Sequence, residues 1–86
     1  MLRQIQYFQA VVRNDSFSRA AEECHISQSA ISQQVQALER ELGFLLLERK
    51  NRKFTLTPAG EYYIACVEQV MQIEREMESH FSAMKI

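Results

Sequence analysis

Three residues, Cys24–His25–Ile26, are all that separates two helical patterns in this 86-residue chain. That spacing constrains the fold more than any other feature. Upstream, "SRAAEECH" reads as a short helix, with Ser18 as its N-cap and with Glu22 and Glu23 close enough to its N-terminus to suit the helix dipole. Ala20 and Ala21 are small, so another element can approach closely there. Downstream, Ser27 is the best N-cap for the next helix, and Gly43 ends that helix as its C′ residue. So short a link must turn the chain sharply, and a turn this tight often needs one residue at positive φ. His is among the non-glycine types enriched there, which assigns the corner to His25 and lets Ile26 fold back into the core. Two helices joined by a turn of three or four residues are the helix-turn-helix outline.

The rest of the chain supplies the supports. Leu2, Ile5, Phe8 and Val12 recur at helical spacing, so a first amphipathic helix is expected over residues 2–14, interrupted by the turn formers Asn14, Asp15 and Ser16. After Gly43, Phe54 and Leu56 alternate with Thr55 and Thr57, and Leu45 and Leu47 flank Leu46. Period-two patterning around the polar tip Lys50–Asn51–Arg52 predicts a short β-hairpin within residues 44–57, with Asn51 left-handed at the tip. Two strands are not stable alone, so the hairpin must pack on the helices. "TPAGE" then starts a fourth helix, with Thr57 as N-cap, Pro58 at N1 and Glu61 favouring the dipole. Gly60 in its first turn lowers helix propensity and implies a close contact.

From Tyr63 a seven-residue repeat runs along this last helix. Tyr63, Val70, Met77 and Met84 hold one position, and Cys66, Ile73 and His80 or Phe81 the other, as in a helix-pairing seam. Met71 is assigned to the same seam, and Tyr62 and Tyr63 to the junction with the preceding domain. Met84–Lys85–Ile86 carries no stop signal, so a longer protein is expected.

Composition matters here mainly through its distribution. The net charge of −1 speaks against a nucleic-acid binder, yet residues 1–57 hold eight Lys/Arg against six Asp/Glu, and residues 58–86 hold two against five. Four of the basic residues fall in "RKNRK", Arg49 to Lys53. No apolar run reaches membrane-spanning length and no secretory leader is visible, so the expected location is the cytoplasm. Cys24 and Cys66 then read as reduced, small core hydrophobes, without zinc spacing. His25 and His80 lack catalytic or metal partners at useful spacing and read as structural. No metal and no cofactor is expected.

The helix after the turn carries the functional signal. Ile31, Val35, Leu38 and Leu42 form its apolar stripe. Gln28, Ser29, Ser32, Gln33 and Gln36 form another face, uncharged for its first turns, with Glu39 and Arg40 further along the same arc. Short serines let a helix approach base edges, Gln can pair bidentately with adenine, and a helix N-terminus suits a phosphate. A solvated face that lacks charge is the alternative for this helix alone, and a solubilising loop is the alternative for the basic hairpin.

Taken together, "SFSRAAEECHISQSAISQQVQALERELG" and "LLLERKNRKFTLTPAGE" resemble the N-terminal DNA-binding domain of bacterial LysR-type transcriptional regulators, from about Leu2 to Gly60 without gaps. The resemblance implies a mostly α fold: a winged helix-turn-helix at residues 1–57, with three helices and a short β-hairpin wing, and a long linker and dimerisation helix at 58–86. It implies base reading by Gln28, Ser29, Ser32 and Gln33, and phosphate contacts from Ser18, Ser27, Gln34, Arg49, Arg52 and Lys53. It also implies double-stranded DNA as partner and antiparallel pairing of linker helices through Tyr63, Cys66, Val70, Ile73, Met77, Phe81 and Met84. The longer protein would be a dimer or tetramer that meets a small-molecule inducer through a separate effector domain, with no membrane role. Two departures stand out. Ser29 replaces a common Pro, and Gln33 replaces a common Arg, which removes a guanine or phosphate contact and leaves an amide suited to adenine. Leu47 replaces a frequent Phe, a packing change.

Two rival readings stay open at this level. One is a protein-interaction module with the same outline and no DNA role. The other is an enzyme, for which no nucleophile–base pair, phosphate-binding glycine loop or metal cluster speaks.

Overall fold

The computed structural model describes residues 2–85, apart from the side chain of Leu2; Met1 and Ile86 lie outside the described residues. The described residues form α1 (Leu2–Asn14), α2 (Phe17–Cys24), α3 (Gln28–Leu42), β1 (Leu47–Lys50), β2 (Lys53–Leu56) and α4 (Pro58–Ala83). Helices α1, α2 and α3 pack mutually around Phe8, Val11, Ala20, Ala21, Ile31, Val35 and Leu38, all buried. The small Ala20 and Ala21 allow α2 to lie close to both neighbours. Ile31, Val35 and Leu38 are fully buried, and Leu42 packs at the edge of the core.

The tight turn forms as its chemistry requires. His25 is left-handed (φ 57°, ψ 41°), and its N–H closes α2 on the carbonyls of Ala21 and Glu22. The Ile26 N–H donates to the Ala21 carbonyl at 3.1 Å, which turns Ile26 against the core. Ser27 then caps α3, its Oγ accepting from the Ala30 N–H at 3.1 Å, and Gly43 (φ 79°) ends the helix.

The start of α2 differs from the sequence reading. Ser16, not Ser18, is the N-cap, accepting from the Arg19 N–H at 3.1 Å. Asp15 (φ 50°) ends α1 abruptly, so the next helix begins two residues earlier than expected. Consequently Glu22 and Glu23 lie toward the C-terminal end of α2, where the dipole does not favour them. Glu23 instead pairs with Arg13 across to α1, where Asn14 Nδ2 also donates to it at 3.3 Å.

The hairpin pairs antiparallel with Leu47 opposite Leu56, Arg49 opposite Phe54 and Lys50 opposite Lys53. Asn51 and Arg52 make its two-residue loop, both at positive φ (52° and 64°), the pattern of a type I′ turn. The expected alternation at Leu45–Leu46–Leu47 does not occur. Leu46 and Leu47 are both buried, Leu45 is exposed, and β1 starts only at Leu47. The cause is Glu39, which sits on α3 with only 7% of its surface exposed. Its Oε2 accepts from the N–H groups of Leu46 (2.7 Å) and Leu47 (3.2 Å), pulling that backbone inward before the strand begins. The helical wheel had put Glu39 on the open face; its carboxylate is spent inside instead.

Helix α4 starts on Thr57, whose Oγ1 accepts from the Gly60 N–H at 3.0 Å and donates to the Leu45 carbonyl at 2.6 Å. Its first turns pack on the core: Gly60 and Val67 are buried, and the Tyr63 ring meets Phe8 edge-on at 5.7 Å. Burial pushes the Tyr63 hydroxyl pKa up, with Glu41 adding to it. Tyr62, in contrast, is 75% exposed and does not fill the junction expected for it. Cys24 and Cys66 are free and half-buried, and burial, reinforced by Glu23, raises the Cys24 thiol pKa. No helix is long and apolar enough to cross a membrane among the described residues.

Candidate nucleic-acid interface

Side-chain chemistry converges on one side of the molecule, where the start of α3 faces the wing. Gln28, exposed, and Ser32, half-buried, line the grooves toward the wing, whereas Ser29 and Gln33 are exposed on α3 and line neither groove. Ser27 Oγ, already capping α3, lies 3.3 Å from Ser29 Oγ. Gln34 is also half-buried, beside the core stripe rather than among the exposed glutamines.

Two grooves separate α3 from its neighbours. One, of about 350 Å³, runs between the start of α2 (Ser16, Ser18), Gln28 and the wing cations Arg52 and Lys53. The other, of about 320 Å³, lies between Gln28, Ser32 and the wing from Arg49 to Phe54. Asp15 is the single carboxylate among the residues lining either groove, against Arg49, Lys50, Arg52 and Lys53. The basic cluster of the sequence is therefore focused toward the uncharged end of α3. Ser18 lies at the rim, its hydroxyl 3.1 Å from that of Ser16.

Arg49 is placed differently from the other cations. Its guanidinium lies over the Phe17 ring, 4.7 Å from the centroid, and Nη1 donates to Ser32 Oγ at 3.3 Å. Phe17 in turn meets Phe54 edge-on at 5.4 Å. This aromatic pair ties α2 to β2, and sequence reading missed it. Period-two spacing marked Phe54 as inward-facing, but nothing local says that Phe17, at the start of another helix, is its partner.

Away from this side, the repeat on α4 divides in two. Tyr63 and Cys66 are half-buried, with Tyr63 against Phe8 of its own chain. Val70, Ile73, Met77, Phe81 and Met84 are 51–63% exposed and leave an apolar stripe along the outer half of the helix. Met84 itself is the C-cap, one residue past the last helical position.

Three packed helices, a tight turn and a basic hairpin beside the second helix of the pair define a winged helix-turn-helix protein. The profile of the bacterial regulatory helix-turn-helix proteins, lysR family, matches residues 2–61, and the chain belongs to that family. It is 44% identical over 84 residues to the RuBisCO operon transcriptional regulator of Allochromatium vinosum, covering 98% of this chain and 28% of that protein. It is 40% identical over 77 residues to the DNA-binding transcriptional dual regulator OxyR of Escherichia coli (strain K12), covering 90% and 24%. Among solved structures, the BenM_DBD/benA site 1 DNA complex superposes with a TM-score of 0.90 at 37% identity, covering 98% of this chain and 94% of that one. The CbnR_DBD–DNA complex gives 0.84 at 35% identity, with 99% of both chains covered. These sequence relatives are transcriptional regulators, and the chain spans about a quarter of their length.

Proposed function

We propose that this chain is the DNA-binding part of a longer transcriptional regulator and that it reads double-stranded DNA with α3 in the major groove. One observation carries the reading: the uncharged first turns of α3 stand across a groove from the wing cations Lys50, Arg52 and Lys53. Uncharged, short side chains permit close approach to base edges, and the flanking cations supply affinity by displacing counterions from the phosphates. Gln28, Ser29, Ser32 and Gln33 are the base readers in this assignment. Ser18, Ser27, Gln34, Arg52 and Lys53 serve the backbone, with Arg52 and Lys53 also suited to the minor groove; Arg49, which the sequence grouped with them, is set apart by its contacts to Phe17 and Ser32. Arg52 holds a left-handed backbone at the wing tip (φ 64°), where glycine would relax a cost of about 1 kcal/mol. A cation at that strained place fits a contact that needs its charge.

Residues 1–57 form the reading unit in this proposal and residues 58–86 the linker, with the first turns of α4 rooted in the core. The exposed stripe from Val70 to Met84 supports pairing with the same helix of a second copy, which would set two copies of α3 on a pseudo-palindromic site. Sedimentation equilibrium should therefore give a dimer mass at micromolar concentration, and Ile73→Glu should give a monomer. A monomer mass for the unaltered chain would contradict the pairing.

A salt titration tests the DNA reading. Affinity for duplex should fall steeply as salt rises; a flat response, or no binding at low salt, would favour a protein-interaction module. Gln33→Ala should cost about 1–3 kcal/mol on the preferred site and relax the base preference there. Arg52→Ala should weaken all sequences alike and make the salt slope shallower by about one. Exchange of these two behaviours would show reader and anchor to be wrongly assigned.

A further inference from the structure

Arg49 belongs to the basic cluster and is exposed, yet its side chain is engaged by Phe17 and Ser32. Its guanidinium is held on the Phe17 ring, itself braced by Phe54, the cross-strand partner of Arg49. From there Nη1 donates to Ser32 Oγ at 3.3 Å. A guanidinium only donates, so the serine oxygen accepts and its own proton must point elsewhere. The cation beside it also disfavours approach of a second donor to that oxygen. A serine without such a neighbour can face either a donor or an acceptor. Ser32, so held, is biased toward donating.

Base edges answer this bias unequally. In the major groove guanine offers N7 and O6, adenine N7 and thymine O4 as acceptors, whereas cytosine offers only its N4 amino donor. We propose that Arg49 is a specificity-setting positioning residue: through Ser32 it makes the recognition helix select a base with an acceptor edge and reject cytosine at the facing position. The inference rests on the DNA reading above and deepens it.

The test is competition binding on a panel of duplexes varied one base at a time from a site selected out of a random pool. Ser32→Ala identifies the facing position as the one whose preference it erases. There, cytosine should weaken binding of the unaltered chain about ten-fold. Arg49→Lys keeps the charge but lacks the planar face that stacks on Phe17. It should keep the salt slope while the cytosine penalty falls to about three-fold or less. Phe17→Leu, which alters no charge, should do the same, and if that variant fails to fold, Arg49→Lys decides alone. A cytosine penalty that survives Arg49→Lys, or an Arg49→Met slope as shallow as that of Arg52→Ala, would make Arg49 an ordinary phosphate anchor and overturn the inference. No binding of any duplex by the unaltered chain at low salt would instead overturn the DNA reading itself, and this inference with it.

Discussion

Gly60→Ala should destabilise the domain by about 3 kcal/mol and lower its melting temperature by roughly 15 °C. Helix propensity alone argues the other way, since alanine in a helix is favoured over glycine by about 1 kcal/mol. The contact decides the sign. A Cβ on Gly60 would stand 2.1 Å from the Leu46 carbonyl oxygen, 3.0 Å from the Leu46 carbonyl carbon and 3.1 Å from Leu56 Cδ2. Two of those atoms are backbone, and the Leu46 oxygen also accepts from the Thr57 N–H at 3.0 Å. No rotamer change can relieve such a clash, so α4 and the root of the wing must separate. Thermal unfolding with circular dichroism reads the effect directly. A melting temperature that rises in the variant would refute the close approach of α4 to Leu46.

Glu39→Ala should cost a similar amount, about 3 kcal/mol. The carboxylate satisfies two buried backbone donors, at Leu46 and Leu47, through a single oxygen. Without it both N–H groups stay buried and unpaired, which costs more than the bonds themselves contributed. Glu39→Gln keeps an acceptor oxygen and loses only the charge, so its loss should be about half as large. Urea unfolding of the three proteins separates these cases, and amide exchange at Leu46 and Leu47 should quicken in the alanine variant. A residue facing solvent would change stability by no more than about 0.5 kcal/mol on the same substitution. That result would return Glu39 to the open face of α3. Both substitutions strike the Leu46 backbone at the root of the wing, so each should also weaken duplex binding more than its distance from the wing tip suggests.

These two residues show where local reading stops. The apolar stripe of α3, the His25 corner, the caps at Ser27 and Thr57, and the left-handed Asn51 were all legible. Each depends on side chains acting on backbone within a few residues, and such interactions leave their spacing in the chain. The misplaced cap of α2 was a local error of another kind. Ser16 and Ser18 are equivalent as capping residues, and only the point where α1 breaks at Asp15 chooses between them. Glu39 was misread because a wheel reports direction around one helix and not what lies opposite. Its partners are seven and eight residues away, beyond the turn at Gly43. For the candidate interface, the sequence marked the uncharged polar residues at the start of α3 and the basic run of the wing. It grouped Arg49 with the phosphate-contacting cations, because the distinction between a free cation and one stacked on Phe17 depends on how α2 meets the hairpin.

By itself, then, the sequence determined the order of the elements, the tight turn, the core stripe and the family. All of these follow from periodicity and from short-range competition for backbone hydrogen bonds. Tertiary structure alone decided which polar residues are free to act. Glu39 is consumed by the backbone of Leu46 and Leu47, and Arg49 is turned onto Ser32 and the Phe17 ring. The physical reason is the same in each case: the partner comes from a different element, and its distance is set by packing rather than by position along the chain.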